Sequence, residues 1–196
     1  IDYLNNKEIQ RFINWLSRNL DNSTLEHSYQ NRRTKTTIKF NSLYDAYAKY
    51  SWNFPALPLL DIPRGNSFPE SAEALSKLQL ALSAAITNGD DSAACDAAIA
   101  VMAWRGVTAG NTLWLRNQTQ GLVELLSNAR DALASGDTSS KTITSNIRFN
   151  AGMTKIYSLI VDNFIIYDSR VAAALGWAVV KFCQESGIST VPSELD

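Results

Sequence analysis

The chain has 196 residues, 45% hydrophobic and 19% charged, and a net charge of −1. These values belong to a globular protein with one sizeable core or two small ones, and they exclude a polycation that holds nucleic acid by bulk charge. Two cysteines and one histidine are too few for a structural zinc site or a four-cysteine iron–sulfur cluster, so no cofactor is expected and only a metal site made of carboxylates alone would remain.

No apolar run reaches the roughly 18 residues that cross a membrane. The opening "IDYLNNKEIQ" is polar and lacks the apolar stretch of a signal peptide. With Cys95 and Cys183 read as reduced core residues, the expected location is cytoplasmic. His27 stands in a polar stretch with no serine motif nearby, which argues against a catalytic triad.

Residues 2–20 place Tyr3, Leu4, Ile9, Phe12, Ile13, Leu16 and Leu20 at helical spacing. A polar, turn-rich stretch follows and ends in "TTIKF", whose β-branched residues suit an extended chain. Asn41 is the expected N-cap of a helix on which Tyr44, Tyr47 and Tyr50 share a face. "PALPLLDIPRGNSFP" holds four of the five prolines and reads as an irregular loop. Helices are then expected from about Pro69 to Thr87, from Ser92 to Trp104 with a break at Gly106, and over "TQGLVELLSNARDALASGD" with a stop at Gly136. The last helix should run from about Ser169 to Glu185. There is no repeat and little strand, so the fold class is all-α: a single domain over 1–196, in which an N-terminal portion 1–69 would pack on 70–196.

The stretch "NAGMTKIYSLIVDNFIIYDSRVAAALGW", from Asn150 to Trp177, carries the functional signal. Gly152 would make a tight turn, and the amides of Met153, Thr154 and Lys155 would start a helix unpaired. Such a start accepts an anion, and a DNA phosphate fits it. Lys155 in that first turn opposes the helix dipole, and a local rule is sometimes broken for function. Phe164, Ile165 and Ile166 are expected to be buried, Asp168 or Ser169 to cap the last helix, and Val171, Leu175 and Val179 to face the core. The plainer reading makes Lys155 and Arg170 surface residues and Asp168 only a cap.

"AGMTK", a short apolar helix and "IYDSRVAAAL" together resemble the core of the helix-hairpin-helix DNA glycosylases, from Asn150 to about Gly176. That superfamily pairs a Gly-rich hairpin and a helix-borne lysine with a "VDTHV" segment opening another helix. The resemblance puts Asp168 in the place of the catalytic aspartate, Lys155 in that of the Schiff-base lysine of bifunctional members, and Gly152 in that of a hairpin glycine. This chain has one hairpin glycine where the family has Gly-x-Gly, Arg170 where a histidine usually follows the aspartate, and Asp168 only thirteen positions after Lys155, a shorter gap than the family pattern.

The chemistry implied is removal of a base flipped out of the stack. The Asp168 carboxylate would stabilise the oxocarbenium-like sugar or activate a nucleophile. Attack by Lys155 at C1′ needs the neutral amine, which burial favours. Tyr157, Tyr167, Trp52 and Trp104, with Trp114, are the candidate stacking surfaces of a base pocket. Phosphates would be met by Gly152, Met153 and Thr154 at the helix start, by Arg148, Arg170 and Arg105, and by "NRRTKTTIKF", a run with Arg32, Arg33, Lys35 and Lys39 and no acid. The expected function is therefore a DNA-binding protein of the glycosylase type, acting on modified or foreign DNA. Its rivals are an inactive DNA-binding or complex-forming subunit with a protein partner, and an unrelated all-α interaction module.

Overall fold

The computed structural model describes residues 5–31, 34–106, 109–118, 120–136 and 147–195. Among them are eight α-helices and one two-stranded sheet, so the fold is all-α as the sequence predicts. The helices are α1 (Lys7–Asn19), α2 (Leu43–Ala48), α3 (Phe68–Asn88), α4 (Asp91–Arg105), α5 (Ala109–Asn117), α6 (Leu122–Ala134), α7 (Met153–Ile160) and α8 (Ser169–Glu185). The strands are β1 (His27–Gln30) and β2 (Thr37–Phe40), an antiparallel hairpin with His27 opposite Phe40. Among the described residues, no helix is long and apolar enough to cross a membrane.

The chain divides into two compact units, Ile1–Tyr50 with Ser169–Asp196, and Ser51–Asp168. In the first, Asn6 caps α1 by accepting from the amides of Glu8 and Ile9. The helix lays Phe12 and Trp15 against Phe182 of α8, with ring centroids 5.7 Å apart in both pairs. Ala178, Val179, Phe182 and Cys183 complete this small core. Leu175, expected to face the core, is 38% exposed. Ser42, rather than Asn41, caps α2: its hydroxyl accepts from the Asp45 amide, while the Asn41 amide donates to the Asp45 carboxylate.

The second unit holds the larger core. The proline-rich loop lies inside it, closed by two isolated bridges, Phe54 to Gly65 and Leu57 to Ile62. α3 starts in a capping box in which Ser67 and Glu70 satisfy each other's backbone. α4 ends at Gly106 in the left-handed region (φ +72°), where a side chain would be strained. Ala94, Ala97 and Ala98 on α4 and Ala74 on α3 bring these helices close, and Leu78, Leu82, Val101 and Met102 fill the space between. Each such leucine contributes about 1.5–3 kcal/mol by leaving water. Asp91 reaches from α4 to the start of α6, accepting from the amides of Gly121 and Val123 at 2.7 and 2.8 Å. α5 does not stand out in the sequence: "AGNTLWLRN" begins with poor helix formers and gains its place from buried Leu115.

Candidate functional site

α7 is short and apolar, and five consecutive residues from Met153 to Tyr157 are buried. Only a helix packed on most sides does this, and one of the five is a lysine. Lys155 is 3% exposed, and its ammonium donates to the carbonyl of Ala151. The plain surface reading of this lysine is therefore wrong. An ammonium taken out of water is unfavourable by several kcal/mol before its partners are counted.

The start of α7 is closed rather than open. The side-chain oxygen of Asn150 accepts from the amides of Gly152 and Met153 at 2.9 and 3.0 Å. The Thr154 amide donates to Asn150 O and the Lys155 amide to Gly152 O. The amides expected to await a phosphate are thus already paired. Gly152 is not in a positive-φ turn either: its φ is −75°. It is glycine because Asn111 lies against it, and a Cβ there would come within 2.0 Å of the Asn111 amide nitrogen. Asn111 and Asn150 form a reciprocal amide pair at 3.1 and 3.2 Å.

One contact ties α7 to the segment that ends in Asp168. The Thr154 hydroxyl lies 3.2 Å from Ala151 O and 3.4 Å from Tyr167 O, both acceptors. Residues thirteen apart in sequence thereby meet, and the segment ending in Asp168 lies beside the first turn of α7. The Asp168 carboxylate accepts from the Arg105 guanidinium at 2.8 Å, the two side chains being 12% and 14% exposed. Arg105 lies 4.1 Å above the ring of Trp52, whose indole N–H donates to the carbonyl of Trp104. Arg105, expected to meet a phosphate, instead holds the carboxylate.

No known protein family, curated protein or solved structure matches this chain.

The remaining expected residues differ in burial and in place. Tyr157 and Trp104 belong to the core, at 0% and 4% exposure, and offer no face to a base. The Tyr157 hydroxyl donates to Arg148 O, and burial pushes its pKa far above the ordinary tyrosine value. Trp114 is covered by Arg148, 5.1 Å from its centroid, and the Arg148 Nε donates to Asn111. Tyr167 is 53% exposed and Trp52 half-buried, so these two keep accessible ring surface beside Asp168. Ile165, expected in the core, is 67% exposed next to them. Lys35, Lys39 and Arg170 are exposed and belong to the first unit. Arg32 and Arg33 lie outside the described residues. Among the described residues, no three His, Cys, Asp or Glu side chains gather as metal ligands would.

Sequence reasoning missed Asn111. Asn150 was legible as a polar residue ahead of "AGMTK", but its partner comes from α5, 39 positions away, and no local signal marks it.

Proposed function

We infer that this chain is a DNA-binding protein of the glycosylase type that removes a modified base with Asp168 and Lys155. One observation carries the reading: a lysine buried on an apolar helix, whose first turn is tied through Thr154 to the residue before a partly buried carboxylate. Apolar packing has no use for an ammonium there, and costly polar groups cluster where chemistry is done. The glycosylase resemblance of the same residues points the same way.

The chemistry follows from the two groups. Arg105 holds the Asp168 carboxyl group in place with a charge-assisted hydrogen bond of 2.8 Å. A carboxylate near C1′ of a flipped nucleotide stabilises positive charge as the N-glycosidic bond breaks and the bonding pair leaves with the base. Water completes the reaction in a monofunctional enzyme. In a bifunctional one the neutral amine of Lys155 attacks C1′, loses a proton and forms an imine to the opened sugar. Tyr167 and Trp52 are the rings left to stack on the base.

An inactive DNA-binding relative is the second reading, favoured by the engagement of Asp168 with Arg105 and by the closed start of α7. Free-base release separates the two. Duplex and single-stranded DNA with damaged, methylated or glucosylated bases is incubated with the protein, and released bases are detected by mass spectrometry. Release is expected for the wild type and should fall at least about a hundredfold in Asp168→Asn. Borohydride trapping on abasic DNA is expected for the wild type and not for Lys155→Met if the lysine is the nucleophile. Salt-sensitive DNA binding with no release from any of these bases would favour the inactive relative.

A further inference from the structure

The first unit carries a surface that Asp168 and Lys155 leave unexplained. On its hairpin Tyr29 stands opposite Ile38, as His27 does opposite Phe40. Residues two apart on a strand share a face, so these four stand together. Their rings form a row: His27 to Tyr29 and Tyr29 to Phe40 are each 6.3 Å between centroids, and His27 meets Trp177 of α8 at 5.4 Å. A two-stranded hairpin usually hides such a face to be stable. Here every residue of β1 is exposed, Tyr29 by 44%.

Beside the row lies a groove of about 430 Å³, with Leu25, Phe40, Leu43 and Ala173 among its apolar walls. His27 and Trp177 join it to a second hollow lined by Lys39 and Lys181, with Glu26 also on the wall. Lys181 Nζ stands 6.0 Å from the Trp177 centroid. Lys39, opposite Ser28, alternates to the other face of the hairpin and meets the row only at this hollow; its side chain is 64% exposed, and Glu26 is 3.9 Å away. Over residues 27–40 the sequence has four cations and no acid.

Rings in a row with cations at the edge fit a partner that alternates flat π faces with phosphates. Duplex DNA keeps its base faces stacked inside, and an apolar protein segment would gain nothing from the basic rim. We propose that the hairpin and α8 bind single-stranded DNA, with unpaired bases stacking on Tyr29 and Trp177 and phosphates meeting Lys39 and Lys181. The choice of DNA over RNA rests on the function inferred above; the strand-binding chemistry does not.

Fluorescence anisotropy with a labelled oligothymidine of about 20 nucleotides tests this on the whole chain, against the matching duplex and an oligouridine. The single DNA strand should bind most tightly, with affinity falling as salt rises. Tyr29→Ala should raise Kd about fivefold or more, Tyr29→Phe should bind like the wild type, and Lys39→Glu should weaken binding and flatten its salt dependence. Tyr29 is exposed, so circular dichroism should show both Tyr29 variants folded. No binding, tighter binding to the duplex or to RNA, or no response to Tyr29→Ala would overturn the proposal. The two readings fail separately: strand binding without base release sinks only the glycosylase reading, and base release without strand binding sinks only this surface.

Discussion

Lys155 and Asp168 in the second unit and Lys39 in the first show two ways of carrying charge. Lys155 is 3% exposed and bonded to Ala151 O, and the Asp168 side chain, at 12%, is held by Arg105 above Trp52. Lys39 stands in solvent on a two-stranded hairpin, with one acid at 3.9 Å. In the first case each polar atom depends on a particular neighbour, because little water can replace it. In the second, water and salt replace any single partner, and the charge acts as part of a field. A change of one residue should therefore be sharp in the second unit and shallow on the hairpin.

The largest effect is expected at the ion pair. Asp168→Ala strands a mostly buried guanidinium and should destabilise the fold by about 1–3 kcal/mol in urea unfolding. Arg105→Met should lose a similar amount, and the double variant much less than the sum, since each single change removes the same contact. Additive losses would mean that the two charges do not depend on each other.

Gly152→Ala comes next. The added methyl pushes Asn111 away and breaks its pairing with Asn150, for an expected loss of about 1–2 kcal/mol in thermal unfolding. In Asn111→Ala the methyl has space, so Gly152→Ala should be nearly neutral in that background. A full loss there would mean that backbone conformation, not Asn111, demands the glycine.

A smaller effect should appear only in acid. The amides of Val123 and Gly121 hold the Asp91 carboxyl below its ordinary pKa. A depressed folded-state pKa gives stability that is fully present above the unfolded value, about pH 4, and lost as the pH falls through the lower folded value. Asp91→Asn should thus flatten the stability curve below about pH 4; an unchanged acid limb would assign it to other carboxylates. Smallest of all, Lys39→Ala should shift stability by no more than about 0.5 kcal/mol. A larger loss would show that the hairpin charge is structural after all.

The helices were legible wherever one segment carried its own start, face and stop. Ser67-Phe68-Pro69-Glu70 opens α3, Asp90 caps α4, and glycines close both. α8 was bounded correctly by the tyrosine–aspartate interruption before it. β1 was not legible, because "HSYQ" gains its extended form only from pairing with Thr37–Phe40. In the site, the sequence singled out Lys155 and Asp168 but misjudged the helix start just before Lys155, where the Asn150 side chain, paired with Asn111, takes the place left for an anion.

The sequence by itself determined the all-α class, most helix boundaries and the unusual lysine on an apolar helix, since periodicity, caps and dipole rules act within a turn or two of chain. Only the tertiary structure decided that Lys155 is buried, that Arg105 from α4 holds Asp168, that Asn111 from α5 demands Gly152, and that Tyr157 and Trp104 are core rather than base platforms. Apart from the bond of Lys155 to Ala151, four positions away, the contacts behind these join residues at least nine positions apart, and all but one at least 39. Burial and pairing at that range depend on how helices pack, which no local pattern encodes.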